Sequence, residues 1–246
     1  MKRFYRQAAV AAADGGFRVM LDDKPIRTPA KALLVLPTRP LAEAIADEWR
    51  EVPEPAEIKA EHLPLTRLAT TGIDRVTRQR QRVIDDTAKY GESDMLCYRA
   101  TAPETLVARQ HEVWQPLLDW AAEQYGARLA LANGTTFVAQ PAEAVRRLRA
   151  AVARHGDLAL SALYNLTQIA GSLVIALAVS EKRLPPLDAF AAAQLDELYQ
   201  IERWGEDPIA AERHRGIRHD VDAAARFLDL LQEARLAGPD TAGEKQ

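Results

Sequence analysis

The chain is poor in cysteine, with Cys97 as its only thiol in 246 residues. A single cysteine excludes internal disulfides and excludes zinc sites built from several thiolates. Cys97 stands between Leu96 and Tyr98, and no motif places a histidine beside it. We therefore expect Cys97 to be a buried structural cysteine. Without disulfides, the protein is also compatible with a reducing compartment.

An excess of either charge sign is also missing. The chain has 32 Lys and Arg against 35 Asp and Glu, and this near balance argues against a dedicated nucleic-acid binder, whose domain would be strongly basic. The longest mainly apolar stretch, residues 169–179, is much shorter than the ~20 residues that span a bilayer. The N-terminus lacks the apolar core of a secretory signal, so we expect an intracellular protein without membrane insertion.

The sequence motifs of several enzyme classes are absent. No P-loop, no Gly-x-Gly-x-x-Gly and no Gly-x-Ser-x-Gly occurs. His111-Glu112 begins like a zinc-protease motif, but Gln115 stands where the second histidine is required, and His214 and His219 are five residues apart, off one helix face. We therefore predict no enzyme activity, no catalytic or bound metal, no nucleotide site and no cofactor.

Alanine is abundant, at 45 residues against 12 glycines, which favours helix. The first forty residues differ from the rest, because Phe17, Val19 and Leu21 alternate with other residues between two turn-forming clusters. We interpret residues 5–36 as a small antiparallel β unit. Thr38 can cap the next helix, with Pro40 in its first turn.

The remaining sequence is dominated by helical spacing. A proline-rich break at residues 52–55 leads to Pro64, and a polar tail begins at Gly238. We predict an α+β fold, with a small β-containing N-terminal domain (residues 1–64) followed by a mainly α-helical C-terminal domain (residues 65–246). The boundary lies somewhere within residues 52–82.

Four local predictions concern the helical part. Thr101 and Glu104 are spaced as a capping box. Asn133-Gly134 indicates a turn, in a possible small hairpin over residues 128–138. Residues 158–179 are apolar around most of the circumference, as in a central helix. Residues 187–204 predict one helix, and its core stripe comprises Leu187, Phe190, Ala191, Leu195, Leu198 and Ile201.

The last of these helices carries a second face. Glu197, Gln200 and Trp204 fall within about 60° of one another and off the core stripe. Gly205 ends the helix, and Glu206-Asp207 adds negative charge. A large aromatic beside fixed polar groups is typical of a protein-binding site. The alternative is a half-buried tryptophan that packs the helix end, with Glu197 simply solvated.

Several blocks of the sequence are similar to one known family. Residues 196–207 read Asp-Glu-Leu-Tyr-Gln-Ile-Glu-Arg-Trp-Gly-Glu-Asp, and further blocks lie at residues 3–5, 17–22, 25–31, 63–69, 96–100 and 171–173. Together they resemble the assembly chaperones that handle the alpha subunit of ATP synthase, the ATP-twelve-type chaperones. The resemblance extends from about Arg3 to Phe227.

The resemblance implies a chaperone that binds the free ATP synthase alpha subunit, prevents its aggregation and promotes assembly of the catalytic head. It implies a β-containing N-terminal domain followed by a helical domain, and it places the family's functionally important glutamate at Glu197. The expected partner-binding residues are Glu197, Gln200, Trp204, Gly205 and Glu206. This sequence does not show the Arg- and Ser-rich presequence of the mitochondrial members, which act in the matrix, so we expect a protein of a bacterial cytoplasm. We also expect a monomer.

Two other classes of function remain open from the residues alone. A small enzyme would use Glu197 as an acid or base, with Gln200 and Trp204 lining a deep cleft. A helical regulatory module would bind some other partner through the same face.

Overall fold

The chain begins with short strands and continues almost entirely in helices. A computed structural model describes residues 2–53 and 57–236, with the backbone alone for 233–236. The strands described are β1 (Ala8–Ala13), β2 (Gly16–Leu21), β3 (Lys24–Pro25), β4 (Val35–Leu36), β5 (Tyr98–Arg99) and β6 (Ala132–Asn133). The helices described are α1 (Arg39–Glu51), α2 (Pro64–Thr71), α3 (Thr77–Ala88), α4 (Glu104–Tyr125), α5 (Ala142–Ala153), α6 (Asp157–Ala170), α7 (Leu173–Ser180), α8 (Pro186–Ala193), α9 (Leu195–Trp204) and α10 (Pro208–Leu236).

The N-terminal strands form one antiparallel sheet. β2 pairs with β1, β3 and β4, and Asp14 and Gly15 form the tight turn between β1 and β2. Gly15 has φ +79°, which glycine adopts without the clash that a Cβ would cause. Val19 and Leu21 are buried and Phe17 packs against the core. This sheet confirms the β unit predicted for residues 5–36.

Helix α1 begins where the sequence predicted. The Thr38 hydroxyl accepts a hydrogen bond from the Leu41 N–H at 3.1 Å, and a proline occupies the first turn. Leu41, Ile45 and Trp49 are buried on the face toward the core. The proline-rich break that follows lies partly outside the described residues, and the polar tail from Gly238 lies wholly outside them.

A carboxylate joins α1 to α2. Glu48 accepts hydrogen bonds from the backbone N–H groups of Leu65 and Thr66 and from the Thr66 hydroxyl, which satisfies the free donors at the start of α2. Burial raises the pKa of the Glu48 carboxyl above its ordinary value. The indole N–H of Trp49 donates to the same hydroxyl at 3.1 Å, so α1 and α2 are fixed to each other by buried polar contacts.

The prediction of one central helix over residues 158–179 is wrong. Gly171 has φ +62° and ends α6, and Ser172 starts α7 by accepting a hydrogen bond from the Ile175 N–H. A glycine in the left-handed conformation ends one helix, and the capping serine that follows begins the next. The resulting α7 is buried along its whole length.

A buried aspartate lies at the start of α7. Asp94 accepts hydrogen bonds from the Leu96 N–H at 3.1 Å through one carboxylate oxygen and from the Val174 N–H at 3.0 Å through the other. Burial raises the pKa of the Asp94 carboxyl to about 6. Cys97 lies beside it with no exposed surface, as predicted, and burial raises the pKa of its thiol to about 12. We call this cluster of Asp94, Cys97 and the start of α7 the buried junction.

Two further local predictions are wrong. The capping box does not form, because Glu104 is the first residue of α4 and its N-cap is Pro103, which offers no side-chain cap. The hairpin over residues 128–138 is replaced by a parallel pairing of β6 with β5, in which Gly134 donates to the Arg99 carbonyl at 2.7 Å. The hairpin error arose because local spacing said nothing about a distant strand.

The long helix α10 packs against α1, α2, α6, α7 and α8 and covers the central helices. Buried side chains from the sheet and from the helices form one continuous hydrophobic cluster. The domain boundary within residues 52–82 therefore stays a prediction. No helix in the described ranges has the length and apolar character needed to cross a bilayer.

Candidate partner-binding site

The predicted helix over residues 187–204 is in fact two helices. The break between α8 and α9 is at Gln194, whose φ of −106° and ψ of 17° are not helical. The predicted core stripe is wrong in part, because Leu187 and Ala191 are exposed while Tyr199 is buried. The break rotates α9 relative to α8, so one continuous stripe cannot serve both.

Helix α9 is held against α4 by polar contacts. The hydroxyls of Thr105 and Tyr199 are hydrogen-bonded at 2.5 Å, and the Gln110 amide donates to Asp196 at 2.7 Å. Arg109 forms an ion pair with Glu202 at 2.8 Å. These contacts fix the inner side of α9, so its outer side keeps a defined orientation.

The outer side of α9 and the start of α10 form a shallow groove of about 370 Å³. All five residues predicted to bind a partner line this groove: Glu197, Gln200, Trp204, Gly205 and Glu206. Ile201, Asp207, Ala210, Arg213 and His214 complete its lining. The structure therefore brings the predicted residues together.

A tight connection joins α9 to α10. Gly205 has φ +85°, a conformation that favours glycine, and its N–H donates to the Ile201 carbonyl at 2.8 Å. The Asp207 carboxylate then accepts hydrogen bonds from the N–H groups of Ile209 and Ala210, which caps α10. Trp204 is 76% exposed, so the half-buried tryptophan considered as an alternative is not what forms.

Glu197 is neither free nor buried. One of its oxygens, Oε2, accepts hydrogen bonds from Arg213 and from His214 Nε2, the latter at 2.9 Å. The other ring nitrogen of His214, Nδ1, lies 3.1 Å from Glu206 Oε1. The side chain of His214 is only 7% exposed, whereas that of Glu197 is 42% exposed. The histidine therefore bridges two half-exposed carboxylates from beneath the groove.

Sequence reasoning missed His214 and Arg213. The two histidines of α10 were considered only as metal ligands, and the acidic residue nearest to Arg213 in the sequence is Glu212. In the structure Glu212 pairs with Arg215, and Arg213 reaches across to Glu197. His214 and Glu197 are 17 residues apart on different helices, so no periodic pattern relates them.

The geometry bears on the enzyme alternative and on metal binding. That alternative required Glu197 in a deep cleft, but the carboxylate is about two-fifths exposed in an open groove. Among the described residues, no group of three or more His, Cys, Asp or Glu side chains is arranged to hold a metal ion. The groove instead combines an exposed aromatic with oriented polar groups, which suits recognition of a protein surface.

Comparison with known proteins gives consistent matches. The family model described as ATP12 chaperone protein matches residues 2–122. The chain is 24% identical over 218 residues to a protein named atp12, mitochondrial, from Schizosaccharomyces pombe, covering 83% of this chain and 74% of that protein.

Solved structures match over nearly the whole length. The crystal structure of Atp12 from Paracoccus denitrificans has a TM-score of 0.86 and 40% identity, covering 94% of this chain and 98% of the other. The Atu1473 protein from Agrobacterium tumefaciens has a TM-score of 0.87 and 41% identity, covering 94% and 86%. Because they cover 94% of this chain, these matches extend well beyond residue 122, where the family model ends.

Proposed function

The chain belongs to the ATP12 chaperone family, and from this membership we propose that it binds the free alpha subunit of ATP synthase, prevents its aggregation and promotes assembly of the catalytic head. The observation that carries the proposal is the match to Atp12 from Paracoccus denitrificans over 94% of the chain at 40% identity. The partner-binding residues are Glu197, Gln200, Trp204, Gly205 and Glu206.

The physical requirements of such a chaperone agree with the groove. A subunit of a ring exposes apolar interface before its neighbour arrives, and exposed apolar surface drives aggregation. A transient binder needs apolar area with polar edges and a fixed shape. Trp204 supplies apolar area, Glu197 and Glu206 supply polar edges, and the contacts with α4 supply rigidity.

The direct test is co-expression with the cognate alpha and beta subunits, each alone, followed by affinity capture of the chaperone. We expect selective retention of alpha, and a larger soluble fraction of alpha. Retention of both subunits equally, or of neither, would overturn the proposal. Retention of a different protein with neither subunit would favour the regulatory module.

A matched pair of variants places the binding surface. Trp204→Ala removes an exposed aromatic from the groove, and Phe137→Ala removes one that is 71% exposed in the loop before α5. Capture of alpha should fall about thirtyfold for Trp204→Ala, because truncating a hot-spot residue costs about 2 kcal/mol, and should be unchanged for Phe137→Ala. Equal effects would place the partner elsewhere.

The proposal includes three further properties. The protein acts as a monomer in a bacterial cytoplasm, and it neither binds nor hydrolyses ATP by itself. Light scattering after size-exclusion chromatography measures the mass against 27.2 kDa. Calorimetric titration with ATP and magnesium should give no saturable heat, and a micromolar site would contradict this part.

A further inference from the structure

The connection between α9 and α10 is flanked by strongly exposed apolar side chains. Trp204 ends α9 with 76% of its surface exposed, and Ile209 lies in the first turn of α10 with 83% exposed. Large apolar groups that remain in water near each other in sequence indicate an interaction site. We call this connection, with Trp204, Ile209 and the adjoining groove, the α9–α10 corner. A partner that binds there should present an apolar group of its own.

The carboxylates of the groove keep unused acceptors. Glu197 accepts both of its hydrogen bonds through Oε2, and Glu206 accepts its one through Oε1. No described residue donates to Glu197 Oε1 or to Glu206 Oε2. Both carboxylates are about 40% exposed, so each offers a free oxygen to whatever enters the groove.

His214 holds these two carboxylates in place. Each of its ring nitrogens is within hydrogen-bond distance of a carboxylate oxygen, and neutral imidazole has only one N–H to donate. Only the imidazolium form donates to both. The ring is buried, and its other neighbour is Phe190, at a centroid distance of 6.1 Å. The free oxygens are therefore pre-positioned by a ring that itself stays out of reach.

The net negative charge of the groove favours a positively charged side chain in the partner. Three carboxylates line it, from Glu197, Glu206 and Asp207, whereas Arg213 and His214 are the only side chains among the described lining residues that can be positively charged. Even with His214 charged, the lining keeps an excess of negative charge. A cationic side chain is attracted to such a site, and an anionic one is repelled.

We propose that the α9–α10 corner binds a segment of the alpha subunit in which an arginine stands beside a large apolar residue. The guanidinium donates to the free oxygen of Glu197 or Glu206 and stacks on the Trp204 indole, while the apolar neighbour covers Ile209. Arginine is favoured over lysine because a planar guanidinium can stack on an aromatic ring and form paired hydrogen bonds at once. This proposal rests on the proposed function and names the chemistry that the same site recognises.

The test uses overlapping peptides that cover the cognate alpha subunit. Fluorescence anisotropy of labelled peptides with the full-length chaperone identifies those that bind. We expect the binding peptides to contain arginine next to a large apolar residue. Replacing that arginine with glutamine should weaken binding about tenfold, and added salt should weaken the parent peptide more than the substituted one.

Chaperone variants test the groove side. Glu206→Gln and Trp204→Ala should each weaken the parent peptide by about five- to tenfold. Glu212→Gln is the matched control, because Glu212 is an exposed carboxylate of α10 that pairs with Arg215 and does not line the groove. In a double-mutant cycle, Glu206→Gln and the arginine substitution should be less than additive.

The outcomes separate this proposal from the one before it. If the chaperone retains alpha but peptide binding is indifferent to arginine and to Glu206, this proposal fails and the chaperone role stands. If alpha is not retained at all, the proposed function fails first. If Trp204→Ala abolishes a concentration-dependent dimer instead, the corner binds a second copy of the chain, which also overturns the proposal.

Discussion

Two carboxylates, at the buried junction and in the α9–α10 groove, are used in opposite ways. Asp94 is fully buried, and each of its oxygens accepts a backbone N–H. Glu197 is about two-fifths exposed, and only one of its oxygens has donors among the described residues. The first carboxylate therefore exposes no oxygen to a partner, whereas the second has an oxygen without a donor.

The contrast shows what separates a structural carboxylate from a recognition carboxylate. Both groups have internal partners, so the presence of a partner does not decide the role. What decides the role is whether an oxygen without a hydrogen-bond donor is exposed to solvent. The buried junction should therefore govern the free energy of unfolding, and the groove should govern the affinity for a client. Four predictions test this division, from the largest expected effect to the smallest.

Removal of the buried carboxylate should give the largest effect. Asp94→Ala leaves the N–H groups of Leu96 and Val174 without their acceptors, and each unsatisfied buried group costs about 1–3 kcal/mol. We expect the free energy of unfolding, measured in urea, to fall by about 3–4 kcal/mol. The exposed Asp23→Ala serves as the control and should change it little. Loss of alpha binding by Asp94→Ala molecules that remain folded would contradict the division.

The same carboxyl should make stability depend on pH. Its pKa of about 6 in the folded protein lies above the ordinary value for aspartate, near 4, so the folded state holds a proton that the unfolded state has released. Stability from Asp94 is therefore present below about pH 4 and is lost as the pH rises to about 6, by about 2–3 kcal/mol. The measurement is the difference in unfolding free energy between wild type and Asp94→Asn from pH 4 to 7. If this difference does not change between pH 4 and 7, the prediction is wrong.

Replacement of the bridging histidine should affect binding more than stability. In His214→Gln the amide nitrogen can replace one ring nitrogen, but the amide oxygen, which only accepts, then lies beside the other carboxylate. We expect about 1–2 kcal/mol less stability and about tenfold weaker capture of alpha. His219→Gln is the control, because His219 is exposed on the same helix. If the affinity is unchanged, the bridge does not orient the groove.

The smallest effect should come from the ion pair behind the groove. Arg109 and Glu202 are both substantially exposed, and such pairs contribute about 0–1 kcal/mol. We expect Glu202→Gln to change the free energy of unfolding by less than about 0.5 kcal/mol, since Arg109 keeps its stacking on Tyr199 at 5.3 Å. A loss above about 1 kcal/mol in the same urea measurement would show that this pair, not the hydroxyl and amide bonds, fixes α9.

Local chemistry made part of the fold predictable from the sequence. The Thr38 cap with Pro40, the turn that precedes the alternating residues Phe17, Val19 and Leu21, and the burial of Cys97 all follow from residues close in sequence, and the structure confirms them. The breaks at Gly171 and Gln194 were missed because apolar and helical spacing continues across them.

The groove was predictable only on one side. Glu197, Gln200 and Trp204 share a helix, so periodicity placed them together. His214 and Arg213 approach from α10, and the angle between two helices depends on packing that no local pattern records. Asp94 was missed for the same reason, because Val174, which donates to it, is 80 residues away.

The contact between the first helix and the last described one has a consequence for synthesis on the ribosome. The Thr38 hydroxyl that caps α1 also donates to the Leu230 carbonyl, 192 residues later, and α1 packs against α10. While a nascent chain grows, the side of α1 that faces α10 has no neighbour to cover it, and contacts of such long sequence separation form slowly. The protein that is proposed to shield an incomplete subunit therefore itself passes through translation with an uncovered helix.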